Sequence, residues 1–251
     1  EKRPPGRPKG RKNYEKPPPQ LTPELTCLQA MLHGILAQIT RLQVKHIVLD
    51  GKFGNYPATW TVRATGLHII SKMRRNAALY LPYTGSKPRC GPTPRYGDKL
   101  DYKHLPAEAL VATRIDGDYR IDTCHLHLYH KDYPDLLNVV IVVKTHLKSG
   151  KRGHVMLFST DTDLSTEQIV DYYALRFQIE FNFRDAKQHW GLEDFMNVRQ
   201  QTVTNAANLA FFMVNFSAAL RQSEATATFS VLDLKAHFRA HRYLSETIKL
   251  L

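Results

Sequence analysis

The stretch that most constrains this chain is 165–190, STEQIVDYYALRFQIEFNFRDAKQHW, which holds neither Pro nor Gly until Gly191. It predicts a single long helix. Ser165 and Gln168 have capping-box spacing, Glu167 lies in the first turn where the helix dipole favours an acid, and Gly191 marks the stop. With Tyr173 as zero and about 100° per residue, Arg176 falls near −60°, Glu180 near −20°, Arg184 near +20° and Lys187 near −40°. Tyr172, Leu175, Ile179, Phe183, Ala186 and Trp190 fall on the opposite side. One face is therefore apolar, and the other carries a carboxylate among cations and a phenol. Tyr173 and Lys187 are separated by roughly 21 Å along such a helix, about six base-pair steps of DNA.

That polar face has two readings. Glu180 and Arg184 are i,i+4, so the face could be a solvated one laced with intrahelical ion pairs. A lone acid flanked by phosphate binders on a rigid element also suits metal-assisted phosphoryl transfer. The spacing separates the two. Tyr173, two residues, Arg176, three residues, Glu180, six residues and Lys187 resemble the Y-R-E-K signature of DDE transposases of bacterial insertion sequences, insertion-sequence family four. RFQIEFNFRDAKQHWGLEDF is similar to that family's segment around its last catalytic acid.

A formal net charge of +12 over 251 residues, with a pI near 9.6, favours a polyanionic partner. Nucleic acid fits better than a membrane. No basic amphipathic helix is evident, and the most apolar stretch, 209–220, is short and carries Asn215 and Ser217. Cys27, Cys90 and Cys124 are scattered and odd in number, which fits a reducing compartment, and the resemblance implies a bacterial cytoplasm, at the nucleoid.

Residues 1–20 hold seven Lys/Arg and six Pro, so an extended basic arm is expected. Its run 5–11, PGRPKGR, resembles the core of a minor-groove AT-hook; a solvated basic loop is the plainer reading. Thr22 and Pro23 open an amphipathic helix over 22–40. VKHIVLD, 44–50, reads as a short strand buried on both faces. It ends on Asp50-Gly51, either a turn former or a metal ligand at the carboxyl end of a strand. Asn55 caps a helix over 56–65 that stops at Gly66, and 67–73 is the next strand. The basic, Pro-rich segment 74–106 reads as irregular. A hairpin at 110–130 with its turn at Asp116-Gly117, and strands at 136–145 and 154–160, predict a small antiparallel sheet. His125 and His127 share one strand face without a complete ligand set for zinc. An all-round apolar helix over 202–220 is expected to pack under the sheet, and Ser230 and Asp233 open a last helix over 231–239.

The resemblance implies an α/β fold: an RNase H-like core of the retroviral-integrase type over 21–85 and 160–222, a β-rich antiparallel insertion over 86–159, and a helical segment over 223–251. HIVLDGKFGN is similar to the loop of the family's second catalytic Asp. The resemblance then implies Asp50 and Glu180 as catalytic metal ligands for two Mg²⁺, with Mn²⁺ able to substitute. It implies Tyr173, Arg176 and Lys187 on DNA phosphates; Arg184 is added as a neighbouring cation. The implied partners are double-stranded DNA, at transposon ends and target, and a second copy of the chain in a synaptic dimer. In the family an insertion-domain Trp stacks a flipped base; Trp60 and Trp190 lie elsewhere, leaving Tyr96, Tyr119 or Tyr129 for that role. The first acid of the set has no match. Glu1, Glu15 and Glu24 precede Asp50, and none is on an expected strand. The expectation is a C-terminal portion, N-terminally incomplete and inactive alone. Rival readings take Asp50 as the first acid with Asp116, Asp118 or Asp122 as the second, a non-catalytic DNA-binding remnant of a decayed transposase, or a nuclease of the same fold.

Overall fold

Thr22 opens the first helix, α1 (Pro23–Gln38): its hydroxyl accepts from the Leu25 N–H at 3.3 Å, and proline fills the first helical position. The structure, a computed structural model, describes residues 18–196, 198–222 and 228–249. The PGRPKGR run at 5–11 lies outside the described residues. The chain divides into two units, the first ending at Arg176 and the second beginning at Phe177.

The first unit is a mixed sheet in the order β1-β2-β8-β7-β6-β3-β4, with β5 (Leu110–Asp116) beside β6. Strand β1 (His46–Val48) runs parallel to β2 (His68–Met73), and α2 (Tyr56–Ala64) connects them. Asn55 caps α2 by accepting from the Ala58 N–H, and Gly66 ends the connection at φ +85°, where a side chain would be strained. Strand β2 pairs antiparallel with β8 (Arg152–Ser159), which continues through β7 (Leu137–His146) to β6 (Tyr119–His130). The hairpins expected as a small sheet of their own pair as their turns dictate, but they extend the sheet of β1 and β2. The segment read as irregular holds two more strands, β3 (Leu79–Pro82) and β4 (Tyr96–Lys99). Their pairing shifts register between Tyr80 and Pro82, which accommodates a residue with no N–H to give. Strand β1, expected to be buried on both faces, is only partly buried and pairs with β2 alone among the described residues.

Near-continuous apolar runs make sense in strands covered on both faces. Ile69, Val139, Ile141, Met156 and Phe158 face α1 and α2; Ile70, Val140 and Leu157 face Ile169 of α3 (Thr166–Ala174). Ile69 and Ile70 are both fully buried, each contributing roughly 1.5–3 kcal/mol. Helix α3 begins as expected, with reciprocal hydrogen bonds between Ser165 and Gln168.

The expected single helix over 165–190 is not continuous. A 3₁₀ turn at Leu175–Phe177 separates α3 from α4 (Gln178–Trp190). The Leu175 N–H is shared among the carbonyls of Asp171, Tyr172 and Tyr173, a tightening that no Pro or Gly in the sequence signals.

The second unit holds α4, α5 (Gln200–Leu220) and α6 (Val231–Lys249), with Ala186, Ala210 and Val214 at its core. Gly191 ends α4 at φ +69°, and Ser230 and Asp233 cap α6 reciprocally. Helix α6 runs well past the expected end at Arg239, since nothing between 240 and 249 breaks it. Helix α5 is 21 residues and is long and apolar enough to cross a membrane by length and composition, so the short stretch read at 209–220 is part of a longer element. It buries Ala210, Val214 and Ser217 while Leu209 and Phe212 stay exposed, unlike the all-round buried helix expected.

One polar side chain ties α3 to the sheet. Fully buried Asn138 donates from Nδ2 to the carbonyls of Asp161 (3.1 Å) and Leu164 (2.8 Å), and pairs through Oδ1 with His125. Asn138→Ala leaves these groups unpartnered and should lower stability by about 3 kcal/mol in urea unfolding. Nearby, His46 meets Asp161 at 2.7 Å and His68 lies 5.8 Å from the His46 ring. Burial raises the Asp161 carboxyl, but hydrogen bonds from His46 and the Asp163 N–H outweigh it and leave the group below its usual range. Burial, then Arg63, lowers the His68 imidazole. A lowered histidine gives stability that is complete above its ordinary 6.5 and falls as pH drops below that. A lowered carboxyl gives stability present above 3.8 and lost as pH falls through its folded value. Urea midpoints should thus fall on acidification in two steps, and His68→Gln should flatten the upper step alone.

Candidate active site

Asp50 follows β1 by two residues, at the carboxyl end of a strand. Its backbone is extended, at φ −63° and ψ 160°, and leads into a 3₁₀ turn at Gly51–Phe53. Its carbonyl accepts twice, from the Phe53 N–H and from the hydroxyl of fully buried Ser71, each at 2.9 Å. The carboxylate makes no capping hydrogen bond and is exposed. The backbone is thus held while the charge points out unspent. Of the two readings of Asp50, the turn former uses its backbone and the ligand reading uses its side chain, and the two coexist.

The turn lies hard against β2. A Cβ built on Gly54 would stand 2.2 Å from the Lys72 carbonyl oxygen, so only glycine allows this approach. Lys52 also meets Glu24 at 2.6 Å, but both are well exposed, so that pair contributes about 0–1 kcal/mol. Sequence reasoning passed over Ser71 and Gly54. A hydroxyl inside the apolar run LHIISKM was the available signal for the first; nothing local marked the second.

Tyr173, near the end of α3, is half-buried. Burial pushes its phenol up, Arg176 beside it pulls it down, and Asp50 pushes it up again. The Arg176 guanidinium carbon lies 6.0 Å from the Tyr173 ring centre. Tyr173 therefore lies within the electrostatic reach of both Asp50 and Arg176 in the first unit, and stays a protonated hydroxyl at neutral pH.

Glu180, Arg184 and Lys187 belong to α4 of the second unit. Glu180 is exposed in the first turn, where the helix dipole favours a negative charge. Arg184 donates from Nε and Nη2 to Asp185, both at 3.0 Å. Lys187 meets Glu193 at 2.6 Å, and Glu193 has a φ of 85°, outside the comfortable range of a residue with a Cβ. Lys187 and Glu193 are exposed and Asp185 is partly so, so a phosphate can displace either carboxylate at small cost.

The other expected candidates are occupied differently. Tyr96 packs edge-on against Tyr80 (5.6 Å) and Tyr129 (5.7 Å), while Tyr119 carries Lys144 over its face at 3.9 Å. His127 meets the Thr162 carbonyl at 3.1 Å. Asp122, the rival second acid, is taken by Thr113 and Arg120.

The first unit thus carries an exposed acid at a strand end, a tyrosine within its field and an arginine beside that tyrosine, in a strongly basic chain. The model of the transposase DDE domain family matches residues 18–216, and the chain belongs to that family. A comparison with curated proteins gives no match. The function of the family is DNA transposition, and its domains generally use divalent metals. Carboxylate oxygens such as those of Asp50 and Glu180 suit a hard cation. Among the described residues no group of three or more His, Cys, Asp or Glu stands close enough to hold a metal.

The close approach at Gly54 gives a direct test. Gly54→Ala must push the Asp50 turn off β2 and should cost about 1–3 kcal/mol in urea unfolding. Gly51→Ala, whose Cβ would meet only Lys72 side-chain atoms at 3.4 Å and its carbonyl oxygen at 3.5 Å, should cost far less.

Proposed function

We propose that this chain is the C-terminal portion of an insertion-sequence transposase of insertion-sequence family four, with an RNase H-like core carrying a β-rich insertion. Its reaction is DNA strand cleavage and transfer at transposon ends. The observation that carries the reading is the exposed, uncapped Asp50 within the electrostatic reach of Tyr173, itself beside Arg176, in a chain of the transposase DDE family.

Asp50 and Glu180 serve as metal ligands. Their carboxylate oxygens would hold divalent metal such as Mg²⁺, which when bound would supply Lewis-acid activation of the attacking oxygen and charge neutralisation at the leaving one. The rest is the work of the chain. The Asp50 backbone, fixed through Ser71 and the turn over Gly54, holds the carboxylate at a defined point of the sheet end. Tyr173 donates a hydroxyl hydrogen bond to a backbone phosphate, and Arg176 offers its planar fork to the same strand. Lys187 and Arg184 exchange Glu193 and Asp185 for phosphates further along. Two copies pair the DNA ends, in the cytoplasm at the nucleoid. The first catalytic Asp has no counterpart among these residues, so the 251-residue chain binds DNA without cutting it.

The test is a nicking assay on supercoiled plasmid with Mg²⁺ or Mn²⁺, beside a DNA-binding titration. Salt-dependent binding without nicking is expected. Nicking that disappears in both Asp50→Asn and Glu180→Gln would support the two ligands and overturn the inactivity of the chain alone. Nicking indifferent to both substitutions would overturn the site.

A further inference from the structure

The strand order gathers cations at one end of the sheet in the first unit. Strands β1, β2 and β7 point one way, and β6 and β8 the other. The end that carries Asp50 therefore also gathers the end of β2, the start of β8, the end of β7 and the start of β6. Arg74, Arg75, Lys144, Lys148, Lys151, Arg152 and Arg120 stand there. The opposite end mixes the acids Asp132, Asp135, Asp161 and Asp163 with the cations Arg41, Lys45 and Lys131. From β1 to β6 is four strand spacings, roughly 19 Å, or about six phosphates along one DNA strand.

The cationic end is grooved. A cavity of about 500 Å³ begins at Gly54 and Asn55, just after the Asp50 turn, and shares Asn76 and Ala77 with a second of about 700 Å³. The second shares Arg152 with a third of about 570 Å³, lined by Tyr119, Lys144 and Lys151. Its walls are built. Arg75 donates to the His154 carbonyl while His154 meets the Arg75 carbonyl, and Tyr102 stacks on the His154 ring at 4.9 Å. Arg152 donates to the Lys103 carbonyl at 2.7 Å. Several acids nearby have cationic partners, Asp101 with His104, Asp118 with Lys148, Asp122 with Arg120, and Asp132 of the first cavity 3.8 Å from His130, while Asp116 has no ion pair among the described residues. Lys144 and Lys151 have no carboxylate partner among the described residues.

We propose that this groove is a second DNA surface, which receives the sugar-phosphate backbone of a duplex leaving Asp50 and holds it through Lys144, Lys151 and Arg152. A polyanion suits a row of unneutralised cations, and a regular, extended one suits a groove that crosses strand after strand. The inference rests on the transposase reading for the identity of the polyanion, and it assigns to the β6–β8 strands contact with DNA independent of sequence.

Fluorescence anisotropy of the full chain with a duplex of arbitrary sequence, titrated at several salt concentrations, tests it. The comparison is Lys144→Gln/Lys151→Gln against Arg41→Gln/Lys45→Gln, which removes the same charge from the opposite end of the sheet. Thermal unfolding checks that both remain folded, and the basic arm is common to all. The first pair should weaken binding on the order of tenfold near physiological salt and make the slope of log K against log salt shallower by about 2. The second pair should match wild type. Equal losses in both pairs, or none in the first, overturn the groove while leaving the transposase reading intact. Wild-type chain that shows no salt-dependent binding overturns both.

Discussion

The antiparallel pairing of β2 with β8 is the contact on which the first unit depends. Four residue pairs, from Ile70 with Ser159 to Met73 with Met156, join the parallel β1–β2 unit to strands far along the chain. Without that seam the isoleucines at 69 and 70 and the Leu157–Phe158 pair would each lose a covered face. Burial on both sides follows from it, since α1 and α2 cover one face and α3 the other. The seam also fixes which charges share an end of the sheet.

Elements bounded by local chemistry were legible in the sequence. Thr22 with Pro23, Asn55, and Ser165 with Gln168 each mark a helix start that depends on only a few adjacent residues. Gly66, Gly117 and Gly191 mark turns and stops through a positive φ that other residues resist. Asp50 could be singled out because a short apolar strand ended on it. Its neighbourhood with Tyr173 and Arg176 could not, since more than a hundred residues intervene and only the fold brings them together.

What failed to show in the sequence depends on choices with small local energies. An α turn and a 3₁₀ turn use the same residue types and differ in which carbonyl each N–H selects, so the break at Leu175–Phe177 left no signal. Strands β3 and β4 hide in a Pro-rich segment because each needs only a few residues and a partner to lie against. Arg184 was read against Glu180 at helical spacing, yet it bonds its chain neighbour Asp185. Competing surface pairs differ by fractions of a kcal/mol, below what spacing can resolve.

The site itself divides into rigid and exchangeable parts. The Asp50 backbone is over-determined, by a buried serine hydroxyl and by a glycine in contact with a carbonyl, and every atom that fixes it lies in the sheet or its turn. The cations proposed for DNA are the reverse. Arg184 and Lys187 have surface partners that are cheap to replace, and Lys144 rests on a tyrosine face instead of a carboxylate. A metal ligand needs a fixed position, because coordination distances tolerate only a few tenths of an ångström. A phosphate binder needs a charge that is available when the polymer arrives, and a weak interim partner keeps it ordered without withholding it. Asp50 is held by a buried hydrogen bond and the cations by surface pairs, an allocation that matches the proposed phosphoryl transfer on a long polyanion.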